Sequence, residues 1–424
     1  MRCLTALAAL CLAIVPTLAQ AQEPTNTPPA AQPSVTATDQ TGFFSEPTII
    51  GKTIRSGNRW LGLDDGGEIK NGFYADIGGM ITGAGWISGG PGYRHWLHSD
   101  QVFVDASAQL SWRMYKSVQA RIEAPKLAGQ HLVAGVEARW QDLTQVSYFG
   151  PGPDSVETNR SEYRVEYANV AGYLTGKPAP WLAVKGKVGW ITQPSIQPPG
   201  GTFERGYADA ATVFAGDPVY QLKAQPQFMH VSIGAVADTR DHRGYPTSGG
   251  VYQASWARYT DRMNDRFTFQ RYEAEAAHFV PLASSRIVLL AHGWLAGTRA
   301  EPDRLVPFYL QPSLGGTNTL RSYADYRFHD RNLLVVNAEA RVRLFTHLDW
   351  AVFADAGNVA PTIGGLNFDR RSYGMGVRLH TDRTTIARVD VAHGDEGWRI
   401  LLRLNDPFRF SRLTKRMAPL PFAP

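Results

Sequence analysis

From Gly72 onward the chain alternates apolar and polar residues with a period of two. The longest run is Leu333–Phe345. Leu334, Val336, Ala338, Ala340, Val342 and Leu344 fall on one face, and Asn337, Glu339, Arg341 and Arg343 on the other. Successive side chains of a strand point to opposite faces, so this spacing predicts a strand with one apolar side and one charged, wet side. The stretches 117–123, 133–141, 372–380 and 397–404 repeat the pattern, with Arg121, Glu137, Arg139, Arg378, Arg399 and Arg403 on their polar faces. A soluble sandwich would alternate in a similar way with its apolar face inward. The number of strands and the arginine density favour the reverse arrangement, with apolar residues facing lipid and polar ones facing an aqueous lumen.

The connections support that reading. Short turns are expected at 98–100, 125–129, 177–180, 241–248, 281–285, 346–347 and 381–383. Longer ones are expected at 150–159, 193–225, 259–265, 299–332 and 357–370, with further tight links near Gly85–Gly90, at Tyr115-Lys116 and between His393 and Gly397. Short turns on one side and long loops on the other match a bacterial barrel with periplasmic turns and outward loops. The fold class is therefore all-β, a transmembrane antiparallel β-barrel of about sixteen strands, with both chain ends on the periplasmic side. Side chains do not fill so wide a lumen. The Gly-rich loop 299–332, folded inward, is the expected plug.

Composition then places the barrel. Residues 1–21 read as a cleaved signal peptide, with Arg2, an apolar core and Ala19-Gln20-Ala21. The 2 cysteines, Cys3 and Cys11, both lie within it. The mature protein is thus expected to rely on its ladder and packing rather than on disulfides. No stretch is long and apolar enough for a membrane helix, whereas Gly 41, Trp 11, Tyr 17 and Phe 19 suit an outer-membrane barrel. Residues 22–45 are rich in Pro, Thr, Ala and Gln and are expected to be disordered in the periplasm. A short pre-barrel segment follows at 46–71, packed at the periplasmic mouth or entering the lumen, then the barrel at 72–410 and a tail at 411–424 containing three prolines. The formal charge of +5 does not point to nucleic acid. The partners expected of such a barrel are outer-membrane lipids or lipopolysaccharide.

Three charges in the C-terminal part stand out: Arg321 in the long loop, Glu339 and Asp355. The two carboxylates fall on adjacent strands with the same inward parity, so a guanidinium on an infolded loop can fork between them. Glu137, Arg139, Arg388, Asp390, Arg399 and Arg403 read as a solvated lumen wall. Asp238, Arg240 and Asp241 read as turn caps with a local ion pair. There is no G-x-S-x-G elbow, no His-Glu-x-x-His and no metal-spaced Cys/His set, so neither enzymatic chemistry nor a cofactor is expected.

These motifs resemble the BamA/TamA superfamily of outer-membrane assembly barrels, also called bacterial surface antigen barrels. The stretch GGTNTLRSYADYRF, with Gly315, Gly316, Leu320, Arg321 and Tyr323, is similar to the family's signature sixth loop, although Ser322 stands where the family has glycine. NAEARVRLF and VFADAGNV resemble the family strands whose acids bind the loop arginine, which map to Glu339 and Asp355. ADTRDHRGYPTSGG carries Asp238, Arg240, Asp241, Pro246 and Gly249 of a family turn, and YFGPGPDS (148–155) resembles a recurrent loop. The resemblance implies a role in inserting or translocating protein, or lipid, at the outer membrane, with client proteins or periplasmic components as partners and Arg321 locking the loop. A passive pore is the alternative, and a lipid-acting barrel enzyme a third. Gln22 to Gly72 is shorter than one of the family's periplasmic POTRA modules, so a POTRA-less relative is expected.

Overall fold

The computed structural model describes residues 42–48, 50, 52, 54, 71–78, 87–200, 206–216, 225–283 and 285–404. The expected signal peptide, most of the expected 22–45 lead, much of the expected pre-barrel segment and the expected tail lie outside the described residues. The meander opens with β1 (Gly72–Gly78), β2 (Ser88–Leu97), β3 (Val102–Ser111), β4 (Lys116–Leu127), β5 (Leu132–Tyr148) and β6 (Ser161–Ala179). It continues through β7 (Leu182–Ile191), β8 (Phe228–Asp238), β9 (Gly249–Asp261), β10 (Phe269–Leu282) and β11 (Ile287–Ala300). It ends with β12 (Asn332–Phe345), β13 (Leu348–Ala360), β14 (Arg370–His380), β15 (Thr385–Gly394) and β16 (Gly397–Leu404).

Each strand pairs antiparallel with the next. The sheet has eighteen strands; two are short segments, Ser195–Gln197 and Ala208–Asp209, along the outer end of β6, and the other sixteen form the barrel wall. Among the described residues no ladder joins β1 to β16. The first outer link falls before Ser88 rather than across Gly85–Gly90, because Gly89 and Gly90 pair with Ile77 and Asp76.

Exposure along β4 and β5 decides which face is which. Ile122 and Val136 are 56% and 53% exposed, whereas Glu137 and Arg139 are 3% and 9% exposed. Apolar residues face outward and charges inward, the inverse of a soluble sheet and the arrangement that lipid demands. Among the described residues no helix is long and apolar enough to cross a membrane.

The two ends differ. At the outer end β5 and β6, 17 and 19 residues long, outgrow the other strands. Their tips form an aromatic cap with the loops: Tyr115, Tyr148, Tyr163, Phe228, Phe308 and Tyr309 share one buried cluster. The inner end carries the short turns. Residues 42–46 sit there, with Phe43 N and Phe44 N donating to Arg343 O and Leu344 O, past the point where the β11–β12 ladder stops. Glu46 reaches His347 Nδ1 at 2.9 Å.

Candidate functional site

The outer loop 301–331 turns into the lumen, and nearly every residue from Val306 to Asp330 is buried or half-buried. Its tip is a tight knot. Gly315 and Gly316 have φ of +116° and +93°, the left-handed region that other residues enter at a cost. Gly316 N donates to Leu320 O and Tyr323 O, each at 3.2 Å, and Gly315 N donates to Thr319 Oγ1 at 2.9 Å. The knot presents Leu320 and Tyr323 to a buried apolar cluster with Trp294, Leu314, Phe328, Leu333 and Val359, and it aims Arg321 at the wall.

Arg321 Nη1 donates to Glu339 Oε2 at 2.7 Å. Its Nε and Nη2 donate to Asp355 Oδ2 and Oδ1 at 3.0 and 2.7 Å, and its backbone N–H adds a bond to Oδ2 at 3.2 Å. The guanidinium lies over the Phe353 ring, 3.4 Å from its centroid. Asn337 Nδ2 donates both to Thr319 O and to Asp355 Oδ1, at 2.6 and 2.8 Å, tying knot and carboxylate together. The forked geometry uses the planar donor set that only arginine has.

The ion pairs do not stop there. Arg378 on β14 donates to Glu339 Oε2 at 3.0 Å and to Asp390 Oδ1 on β15 at 2.6 Å. Arg388 approaches Asp390 at 3.5 Å and donates to Thr317 O and Asn318 Oδ1 of the loop, both at 3.1 Å. Arg403 adds a bond to Thr317 Oγ1 at 3.1 Å and stands 3.6 Å from Asp325. The expectation of a solvated wall is therefore corrected at Arg388, Asp390 and Arg403. The infolded loop displaces water from this side of the lumen, and alternating signs on β12 to β15 compensate one another. On the far wall Glu137 pairs with Lys187 at 2.6 Å, and Arg139 donates to Gln119 at 2.9 Å.

Ser322, which replaces the glycine of the resembling motif, does not disturb the knot. Its φ is not among the positive ones. Its N–H donates to Ser372 Oγ at 3.0 Å, and the two hydroxyls lie 2.6 Å apart. The room comes from Gly394, where a Cβ would overlap the Ser322 hydroxyl.

A second set of contacts fastens the loop from outside. Arg327 Nε donates to Glu396 Oε1 at 2.6 Å, and its Nη1 and Nη2 donate to Ser155 Oγ and O, both at 2.7 Å. Its guanidinium lies near the Phe149 and Phe328 rings. Tyr323 OH donates to Asp395 Oδ2 at 2.8 Å, and Gly152 N to His329 O at 2.7 Å. Burial pulls the His329 imidazole down to about 3. Burial also raises the Glu396 carboxyl against the opposing pull of Arg327.

Sequence reasoning did not single out Arg327, Ser155, Ser372, Gly394, Asp395 or Glu396. Parity marks Arg378 and Asp390 as inward, but which inward groups meet across strands is a matter of register. The turn residues lie elsewhere. Arg240 forks onto Asp238 at 2.8 and 2.9 Å; Asp241 accepts from His242 N and Thr247 N at 2.8 and 2.9 Å. Gly249 has φ +83° at the base of this turn. Among the described residues no group of His, Cys, Asp or Glu could hold a metal ion.

Residues 199–393 match the Omp85 superfamily domain. No curated protein matches the chain by sequence. Among solved structures, BamA from Haemophilus ducreyi lacking POTRA domains 1–3 is similar with a TM-score of 0.58 and 14% identity, over 80% of this chain and 70% of that one. CdiB from Escherichia coli aligns with a TM-score of 0.51 and 11% identity, over 80% of this chain and 63% of that one. At such identities the likeness is one of fold. The matched stretch and the shared architecture agree: the chain has the fold of BamA-like barrels and carries, in residues 199–393, a match to the Omp85 superfamily domain.

Proposed function

We propose that this barrel inserts or translocates protein, or lipid, at the outer membrane, and that Arg321 holds its loop in the closed state. The observation that carries this reading is the buried guanidinium shared between Glu339 and Asp355. A passive pore gains nothing from a loop that fills its lumen and is anchored on four successive strands by compensated charge. A closure that must open for cargo does. The match of residues 199–393 to the Omp85 superfamily domain supports the same direction, given the resemblance of the loop and strand motifs to outer-membrane assembly barrels.

The test is crosslinking in intact cells, with a photoreactive residue placed at the inner turns and on the loop, followed by mass spectrometry of the adducts. Capture of other outer-membrane or secreted chains, or of lipid, in wild type is the expected result. Adducts confined to the barrel itself, together with a large steady conductance in planar bilayers, would establish a passive pore instead.

A further inference from the structure

The turn at 239–248 is too long for a simple hairpin, and its tip does not stay with its own strands. Tyr245 is 2% exposed. It lies against His380 at the end of β14, with rings stacked at 3.8 Å and 8°. Its hydroxyl donates to Asp349 Oδ2 on β13 at 2.6 Å and accepts from Arg343 Nη2 on β12 at 3.3 Å. Arg341 Nη2 donates to Pro246 O at 2.7 Å, and Gly244 O accepts from Thr385 N at 3.0 Å. With strands ~4.8 Å apart, β14 lies ~24 Å along the wall from β9. The turn therefore reaches past β10 and β11 and attaches to the rim at β12 to β15.

The base of the turn is built to hold that excursion. The Asp238–Arg240 fork, the Asp241 bonds to Thr247 and the Thr239–Gly250 backbone pair fix its two legs. Its anchors share a strand with the loop. Glu339, Arg341 and Arg343 are successive inward residues of β12; the first holds Arg321 and the next two hold the turn.

We propose that residues 239–248 form a strap across the inner mouth of the barrel, a second closure in series with the outer loop and seated on the same strand. It rests on the reading of the outer loop as a closure held by Arg321, and not on what the barrel transports. Two closures in series conduct only when both are open, so releasing one leaves most of the block in place.

The experiment uses the purified full chain in planar bilayers, comparing Arg321→Ala, Tyr245→Ala and the double variant. The double variant is expected to show at least a tenfold higher open probability than Arg321→Ala alone. Should Tyr245→Ala not give a heat-modifiable folded barrel, replacing 242–247 by two glycines carries the same comparison. Equal open probability with and without the strap in the Arg321→Ala background would overturn the proposal. That outcome would leave the crosslinking result, and hence the proposed function, untouched.

Discussion

Arg321 is 1% exposed and meets two carboxylates, so the energetic question is what remains when it is removed. Breaking a buried pair by deleting one partner costs ~3–5 kcal/mol, because the other charge is stranded. Glu339 keeps Arg378, whereas Asp355 keeps the Asn337 amide and the backbone N–H of residue 321 but, among the described residues, no cation. Arg321→Ala is therefore expected to release the loop, read as faster protease cleavage within 301–331 while the barrel remains heat-modifiable. Arg321→Lys should recover only part of the protection, since an ammonium cannot fork to Asp355. The neighbouring position makes a subtler case. Gly394→Ala drives a methyl into the Ser322 hydroxyl and should loosen the same loop. The same methyl also meets Arg371 O, so adding Ser322→Gly should restore only part of the protection, at a loss of ~1 kcal/mol for the bond to Ser372. No recovery at all in the double variant would show that the Ser322 hydroxyl is not what the methyl displaces.

At the scale of the strand, adjacent residues have opposite surroundings. Val136 faces lipid, and Glu137 faces the lumen and pairs with Lys187 two strands along the same wall. Val136→Arg should cost ~2–4 kcal/mol near the bilayer midplane, measured by urea unfolding from vesicles. Glu137→Gln should leave membrane insertion unaffected and alter only the inner wall. This much was legible in the sequence, because parity needs no knowledge of neighbours. The sixteen-strand count, the position of the two longest loops and the inward side of Glu339 and Asp355 all follow from alternation and turn residues. What could not be read was height. Arg388 and Asp390 have the parity of a wetted wall, and only the register of β14 and β15, together with the depth to which the loop descends, puts them in the dry ladder. The reach of Tyr245 was illegible for the same reason: the bonds within the turn are local, but its target lies about a hundred residues away, at Asp349.

For the whole molecule, the outer cap and the plug form one packed unit, and His329 lies inside it against Tyr148. Its imidazole, held at about 3, is neutral in the seated loop, whereas an unconstrained histidine takes its proton near ~6.5. A depressed base gives stability that is present above the ordinary value and lost as pH falls toward the depressed one. Loop protection should thus be flat above pH ~7 and decline below ~6, and His329→Phe should remove that part of the decline. The Arg327 clamp has a further implication, for the order of events during biogenesis. It joins Ser155, 172 residues away in sequence, to Glu396, 69 residues away on the other side. Glu396 belongs to the hairpin of β15 and β16, the last of the described strands. A nascent barrel cannot finish seating its loop until that hairpin is in place, so the clamp acts as a completion check, and chains truncated before β16 would remain unsealed.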